Sequence, residues 1–427
     1  MARSKRRDIK NALAQVYSFI APVRRLPDDI LFLIFQELQD EMRTSLLQLM
    51  LVCRKWHGVV SGHPALWTYI SIPERDFEYG RRPSTKRILT YLTRSREALL
   101  DIVIDLPSDH QLHDRCRNEG WDGEDDDHDE SSCDKVDAVY RELRPLLDIL
   151  VGIGGCHMKR WKSFSFLHHS SRPLKTHCDL RVLQYPAPQL QTLVLYEWDP
   201  EHSFGETPRL SRLALQGYNG LVSLGPATSA ITELIVELVT CSELDALFQL
   251  LSSLCHQLKV FRVCSVWRVQ GQLQRTPKPR LSLPSLQVLE VDMGTIFDYV
   301  LASLDLPNLI NIHISPSGGA WYHKPQPMPQ TPWTTWFQRI RCLVIQLPDT
   351  YGHRELDALL GEAQGVEILT VSPSIRRSVE ITLANDLALC PMLQQLRVLS
   401  YTTDSYTIPL SHTARSFAIP FYTRQTS

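Results

Sequence analysis

The sequence predicts an α/β protein in which a short all-α unit at the amino terminus is followed by an irregular solenoid of alternating strands and helices. Two amphipathic helical patterns fill residues 24–72, and a short apolar pattern then recurs along the rest of the chain, with further helical patterns between its copies. The 427 residues are 43% hydrophobic and 22% charged. This composition is typical of a folded protein with an extended core.

The charge balance excludes partners that are attracted by a strong overall field. Lys and Arg total 45 against 47 Asp and Glu, for a net charge of -2. We therefore expect neither nucleic acid nor a membrane as a partner. The apolar stretch Leu46 to Cys53 is far shorter than the ~20 residues that cross a bilayer, so we expect no transmembrane helix.

The cysteines give no sign of a metal clip or a redox pair. The chain has ten of them, and no two are separated by just two residues. We interpret them as reduced thiols in an intracellular protein, located in the cytoplasm, the nucleus or both. The basic residues of segment 1–23 are typical of a solvated tail, with a nuclear-import tag or a secretory signal as alternatives.

The spacing of apolar residues in segment 24–72 predicts two helices, each with an apolar face. Pro27 at a first-turn position and Asp28-Asp29 beside the helix dipole mark the first start. The first apolar stripe consists of Leu31, Ile34, Phe35 and Leu38. After Thr44 or Ser45, the second consists of Leu46, Leu49, Met50, Val52, Cys53 and Trp56. A unit of about 45 residues cannot cover such faces by itself, so either the following domain or a second polypeptide must do so.

Four short motifs in this unit resemble the F-box, particularly its fungal versions. In order, they are Leu26-Pro27, Ile34-Phe35, Leu51-Val52-Cys53-Arg54-Lys55-Trp56 and Pro64-Ala65-Leu66-Trp67. The resemblance implies binding to the Skp adaptor of an SCF cullin-RING ubiquitin ligase and, through it, to a cullin. It also implies a set of adaptor-binding residues, some of which must instead hold the module together: Leu26, Pro27, Ile30, Ile34, Phe35, Leu46, Leu49, Val52 and Trp56.

Beyond this module, one pattern recurs: an apolar residue, two spacers, an apolar residue, one spacer and a third apolar residue. We interpret each copy as a strand. The first residues of the copies are Trp67, Leu99, Trp161, Leu190, Leu210, Ile231, Leu258, Leu286, Leu309, Ile340, Val366 and Leu393. Helical patterns are predicted near 86–93, 136–150, 244–251, 297–304 and 354–360. From Leu190 onward, the spacing of about 20 to 30 residues resembles that of leucine-rich repeats.

The pattern departs from the usual leucine-rich repeat at one position. Asn or Cys is expected eight residues after each first apolar position, but this chain has other residues there, Ser374 among them. We therefore expect a variable, loosely curved array over residues 73–427, and a doubly wound parallel sheet is an alternative. An acidic insert at 107–135 is predicted to be disordered. The aromatic run 321–336 is predicted to be a loop that either binds a partner or packs locally.

The sequence contains no complete motif for catalysis, for a cofactor or for a metal. Gly152, Gly154 and Gly155 lack the rest of a phosphate loop. His110, His113 and Cys116 have metal-ligand spacing but lie in the polar region beside the acidic insert. We therefore expect a non-catalytic substrate-recognition subunit of an SCF ligase with an unknown protein target. An alternative is a leucine-rich-repeat interaction protein that acts outside a cullin ligase, and an enzyme on an α/β sheet is a third.

Overall fold

The computed structural model describes most of the predicted elements. It covers residues 25–42, 46–77, 83–106, 134–168, 184–196, 205–216, 230–238, 243–265, 280–293, 303–316, 338–347, 353–386, 389–399 and 422–423. The predicted tail at 1–23, residues 107–133 of the predicted insert and the aromatic run 321–336 lie outside these residues. So do His110, His113 and Cys116. The last two residues of the predicted insert, 134 and 135, instead begin a helix.

The α-helices of the described residues are α1 to α8. They span Asp28–Met42 (α1), Leu46–Val52 (α2), Arg54–Gly62 (α3), Thr85–Arg94 (α4), Asp134–Val151 (α5), Glu243–Leu254 (α6), His353–Glu362 (α7) and Arg376–Asn385 (α8). Helices α1 to α3 form the amino-terminal module. A 3-10 helix, Pro64–Trp67, connects this module to the first strand.

The strands follow in chain order. They span Tyr69–Ile72 (β1), Leu100–Leu106 (β2), Trp161–His168 (β3), Thr192–Tyr196 (β4), Arg212–Gln216 (β5), Glu233–Leu238 (β6), Val260–Ser265 (β7), Leu281–Ser282 (β8), Val288–Met293 (β9), Leu304–Asp305 (β10), Asn311–Pro316 (β11), Cys342–Ile345 (β12), Ile368–Val371 (β13), Gln395–Val398 (β14) and Tyr422–Thr423 (β15).

One long sheet contains all twelve strands that the apolar pattern predicts. Its 13 strands lie side by side in the order β1-β2-β3-β4-β5-β6-β7-β9-β11-β12-β13-β14-β15. Neighbours pair in parallel, except that β15 is antiparallel to β14. The short strands β8 and β10 form a separate parallel pair. A doubly wound sheet reverses its strand order near the middle, and the described sheet does not, so that alternative is wrong.

The middle apolar residue of each predicted copy lies at the same level of the sheet. Register pairs join Ile70, Ile102, Phe164, Leu193, Leu213, Leu234, Phe261, Leu289, Ile312, Leu343, Leu369 and Leu396 into one row. All of these side chains except Leu396 are buried. Since successive side chains of a strand point to opposite faces, this row defines the inner face, and it packs in one core with residues of α4 to α8.

Backbone hydrogen bonds also connect the residues at or just before the starts of consecutive strands. For example, the amide of Gln191 donates to Lys162, that of Ser211 to Gln191, and that of Thr232 to Ser211, at 2.8 to 2.9 Å. Ser374, which stands where a leucine-rich repeat has Asn or Cys, donates its hydroxyl to the Leu347 carbonyl at 2.7 Å. At this position, the side chain therefore bonds to the backbone of the preceding strand region, as an asparagine could.

Three local expectations were wrong. The predicted second helix is broken at Cys53, whose extended backbone separates α2 from α3, so Trp56 does not continue the face of Leu49. At the start of β2, Leu100 rather than Leu99 is buried, and the register shifts there. Residues 297–302 of the predicted helix 297–304 lie outside the described residues, and its last residue, Leu304, belongs to the strand β10 instead. Helix α8 was not predicted.

Candidate functional site

Helix α1 has two adjacent apolar stripes, and only one of them faces the interior. Leu31 and Phe35 are fully buried. Ile30, Leu33 and Ile34, at i, i+3 and i+4, are exposed; Ile34 retains 40% of its accessible surface. Residues at this spacing lie together on a helix surface. The module therefore presents an apolar stripe on α1 that it does not cover itself.

Helix α2 divides its apolar residues in the same way. Leu46 and Leu49 are buried, while Leu47, Leu51 and Val52 are exposed. Leu51 is 85% exposed, which is high for a large aliphatic side chain on a helix. The exposed stripe of α1 and these residues of α2 are named the uncovered apolar residues below: Ile30, Leu33, Ile34, Leu47, Leu51 and Val52. Exposed apolar groups concentrated on one small unit are a sign of protein–protein contact.

The module keeps its shape through a small core of its own. The fully or largely buried members are Leu31, Phe35, Leu46, Leu49, Val59, Val60, Leu66 and Trp67. Phe35 contacts Trp56 edge-on, with ring centroids 4.8 Å apart. The Trp67 indole nitrogen donates a 2.7 Å hydrogen bond to the Val60 carbonyl. These contacts hold α1, α3 and the following 3-10 helix together and leave the uncovered apolar residues outward.

Of the nine residues that the F-box resemblance implies as adaptor-binding, the structure separates three groups. Phe35, Leu46 and Leu49 are interior residues, so we now assign them to the packing of the module. Leu26 and Trp56 are partly buried against that core. The four remaining residues are exposed, and they are Pro27, Ile30, Ile34 and Val52.

The sequence pattern does not single out Leu33, Leu47 and Leu51, because it merges the two stripes of α1 into one and continues one helical face across the break at Cys53. The arc of apolar residues on α1 is wider than a single buried face requires. That width was the signal for a second, outward stripe.

The module is attached by contacts of α4 to the sheet domain, a name used below for the long sheet together with α4 to α8. Tyr91 packs edge-on against Trp67, with ring centroids 5.0 Å apart, and burial raises the pKa of Tyr91. The Arg94 guanidinium lies 4.5 Å from the Trp67 ring centroid and donates to the Met50 sulfur at 3.5 Å. A cation over an aromatic face is stabilising. Helix α2, which bears three of the uncovered apolar residues, therefore contacts α4 directly.

The outer face of the sheet carries a row of alternating charges. Arg212 lies 3.6 Å from Glu233, Arg262 lies 3.8 Å from Glu233 and 3.2 Å from Glu290, and His313 lies 3.2 Å from Glu290. This charge row crosses β5, β6, β7, β9 and β11. Burial acts to raise the pKa of Glu290, but the hydrogen bond from His313 and the charges of His313 and Arg262 hold that pKa below its ordinary value.

The described residues hold no group of three or more His, Cys, Asp and Glu side chains that could bind a metal ion. Gly152, Gly154 and Gly155 have positive φ angles and form a tight 3-10 turn after α5. The cysteines Cys53, Cys156, Cys255, Cys264, Cys342 and Cys390 are free thiols. Among the helices of the described residues, none has the length and apolar character that crossing a bilayer requires.

Comparison with known proteins bears on the amino-terminal module. Residues 23–73 match the F-box-like family. No curated protein matches the chain. The crystal structure of a TLR13-ssRNA13 complex is similar at 14% identity and a TM-score of 0.30, over 50% of this chain and 32% of that chain. A likeness this low supports no argument about fold or function. The family match alone identifies residues 23–73 as an F-box-like domain, and α1 to α3 are helices of this domain.

Proposed function

We propose that this protein is a substrate-recognition subunit of an SCF ubiquitin ligase. The F-box-like domain binds the Skp adaptor and, through it, a cullin, and the sheet domain binds a target protein. The observation that carries the proposal is the presence of the uncovered apolar residues on α1 and α2 within the residues that match the F-box-like family. A second protein that seals these residues gains hydrophobic burial of about 25 cal/mol for each Å² removed from water.

We propose Pro27, Ile30, Ile34 and Val52, together with Leu33, Leu47 and Leu51, as the residues that contact the adaptor. Leu26 and Trp56 are proposed at its margin, because they are only partly buried. Phe35, Leu46 and Leu49 support the surface from below.

For residues 73–427 we propose an irregular leucine-rich-repeat-like solenoid whose outer sheet face receives the target. Support comes from the single row formed by the middle apolar residue of each strand pattern. Further support comes from the regular backbone hydrogen bonds between the residues at or just before the starts of consecutive strands. We propose no catalytic role for this chain, because holding a target near the ubiquitin-carrying enzyme raises the local concentration of the acceptor lysine. We place the protein in the cytoplasm, the nucleus or both.

The proposal is tested by co-expression of the full chain with a Skp adaptor, followed by size-exclusion chromatography. We expect the two proteins to elute together and Ile34→Asp to separate them. Ile153→Asp is the matched control, because Ile153 is 96% exposed and lies after α5, outside the F-box-like domain. Separate elution of the wild-type proteins would refute adaptor binding.

The alternative function is that of an interaction protein that binds the adaptor but acts outside a cullin ligase. It makes the same use of the uncovered apolar residues, so the adaptor experiment does not distinguish it. Addition of the cullin to the purified complex does. A ternary complex supports the ligase, and an adaptor complex that never retains the cullin supports the alternative.

A further inference from the structure

The segment that enters and forms α4 is strongly basic in a chain whose charge is nearly balanced. Residues 79–96 contain no Asp or Glu. Their basic residues are Arg81, Arg82, Lys86, Arg87, Arg94 and Arg96. Glu78 and Glu97 flank this segment and the overall net charge is only -2, so the excess of positive charge is confined to residues 79–96. A local field of this kind attracts an acidic surface and accelerates its association.

Helix α4 turns its apolar side inward and its basic side outward. Ile88 and Leu92 are buried in the core of the sheet domain. The outward side bears a shallow groove of about 470 Å³ lined by Thr85, Lys86, Leu89, Thr90, Thr93 and Arg94. Leu89, in this lining, is 49% exposed. The groove therefore combines positive charge, hydroxyl groups and one apolar contact point.

Two of these cations are not neutralised within the part of the protein that the structure describes. Arg87 forms an ion pair with Asp76. Among the residues that the structure describes, Lys86 and Arg96 have no ion-pair partner and both are exposed. A cation without an internal partner is available to a carboxylate on another protein.

The basic side of α4 lies next to the proposed adaptor surface. Arg94 donates to the sulfur of Met50 at 3.5 Å. Met50 belongs to α2, three residues after Leu47 and directly before Leu51, which are both uncovered apolar residues. A protein that covers α2 is therefore brought close to the carboxyl-terminal end of α4.

We propose that the outward side of α4 is a second contact for the Skp adaptor and binds an acidic segment of it. This inference rests on the proposed function, because it takes the adaptor as the protein that covers α1 and α2. The apolar residues supply most of the affinity, while the cations of α4 orient the adaptor and increase its association rate. Charged groups at the margin of an interface act mainly on the rate of association and on its salt dependence.

The test measures binding of the full chain to a purified Skp adaptor at low and at high ionic strength. The variant combines Lys86→Glu, in the groove lining, with Arg96→Glu, two residues after the end of α4. We expect a loss of affinity on the order of tenfold at low ionic strength, mainly from slower association, and a smaller difference at high ionic strength. The matched control is Arg280→Glu combined with Arg377→Glu, which makes the same charge change at exposed positions of the sheet domain. The control should bind like the wild type.

Each outcome separates the second contact from the proposed function. If the wild type binds the adaptor and the α4 variant binds equally well at both salt concentrations, the second contact is refuted and the proposed function stands. If the wild type does not bind the adaptor, both fail. If the α4 variant keeps its adaptor affinity but loses binding to a single-stranded oligonucleotide, the basic side is a nucleic-acid site and the second contact is again refuted.

Discussion

Two leucines of α2, separated by one residue, allow the adaptor surface to be tested with the same chemical change. Leu51 is 85% exposed, and Leu49 is 7% exposed. We predict that Leu51→Ala weakens adaptor binding and leaves the stability of the free protein unchanged. We predict that Leu49→Ala has its main effect on stability, because its side chain lies in the core of the F-box-like domain.

The size of both effects follows from these exposures. Full burial of a leucine contributes about 1.5 to 3 kcal/mol. A partner that covers the exposed 85% of Leu51 would gain about 1.3 to 2.6 kcal/mol, or about tenfold to eightyfold in Kd. Alanine keeps the β-carbon, so the lower part of this range is expected. Leu49→Ala should reduce the free energy of unfolding of the domain by about 2 to 5 kcal/mol, because it removes buried methyl groups and leaves a cavity.

Titration calorimetry with the Skp adaptor and denaturant unfolding of the free chain measure the two quantities separately. The expected pattern is a loss of affinity without a loss of stability for Leu51→Ala. For Leu49→Ala, the unfolding transition of the domain moves to lower denaturant. An unchanged Kd for Leu51→Ala would refute the assignment of α2 to the adaptor surface. A destabilised Leu51→Ala would show that this side chain is covered within the protein.

Three further predictions concern the attachment of the domain, the charge row and a buried thiol. Arg94→Ala removes the cation over Trp67 and should cost about 1 kcal/mol, seen as faster amide hydrogen exchange in α2. Glu290 has a lowered pKa in the folded state, so its contribution to stability is full above its unfolded pKa and is lost as the pH falls through its folded pKa. The stability difference between wild type and Glu290→Gln, measured by denaturant unfolding, should therefore shrink on acidification. Burial raises the pKa of Cys390 to about 11, so mass spectrometry should find it alkylated by a maleimide far more slowly than the exposed Cys156.

The sheet was largely predictable because its pattern is redundant. In a strand, alternate residues share a face. Three apolar residues separated by three and then by two positions therefore both locate the strand and identify its buried side. That is why residues as far apart as Ile70 and Leu396 fall into one row. The shift from Leu99 to Leu100 could not be predicted, because both residues are leucine and the choice depends on the local register with β3.

The adaptor surface was less predictable because its two halves are made of the same residue types. Periodicity shows that α1 is apolar over a wide arc, but Leu31 and Ile34 are equivalent in hydrophobicity. Only packing within the core of the F-box-like domain decides that the former is inside. The break between α2 and α3 has no Gly or Pro to mark it. The position of Trp56 relative to Leu49 therefore could not be obtained from spacing alone.

Hydrogen–deuterium exchange of the full chain, with and without a Skp adaptor, tests most directly whether a second protein covers α1 and α2. We predict slower exchange on binding in Asp28–Met42 and Leu46–Val52, a smaller effect in Thr85–Arg94, and no change in the strands from β5 to β13. Formation of a complex with unchanged exchange in α1 and α2 would contradict the assignment, because the adaptor would then bind elsewhere on the chain.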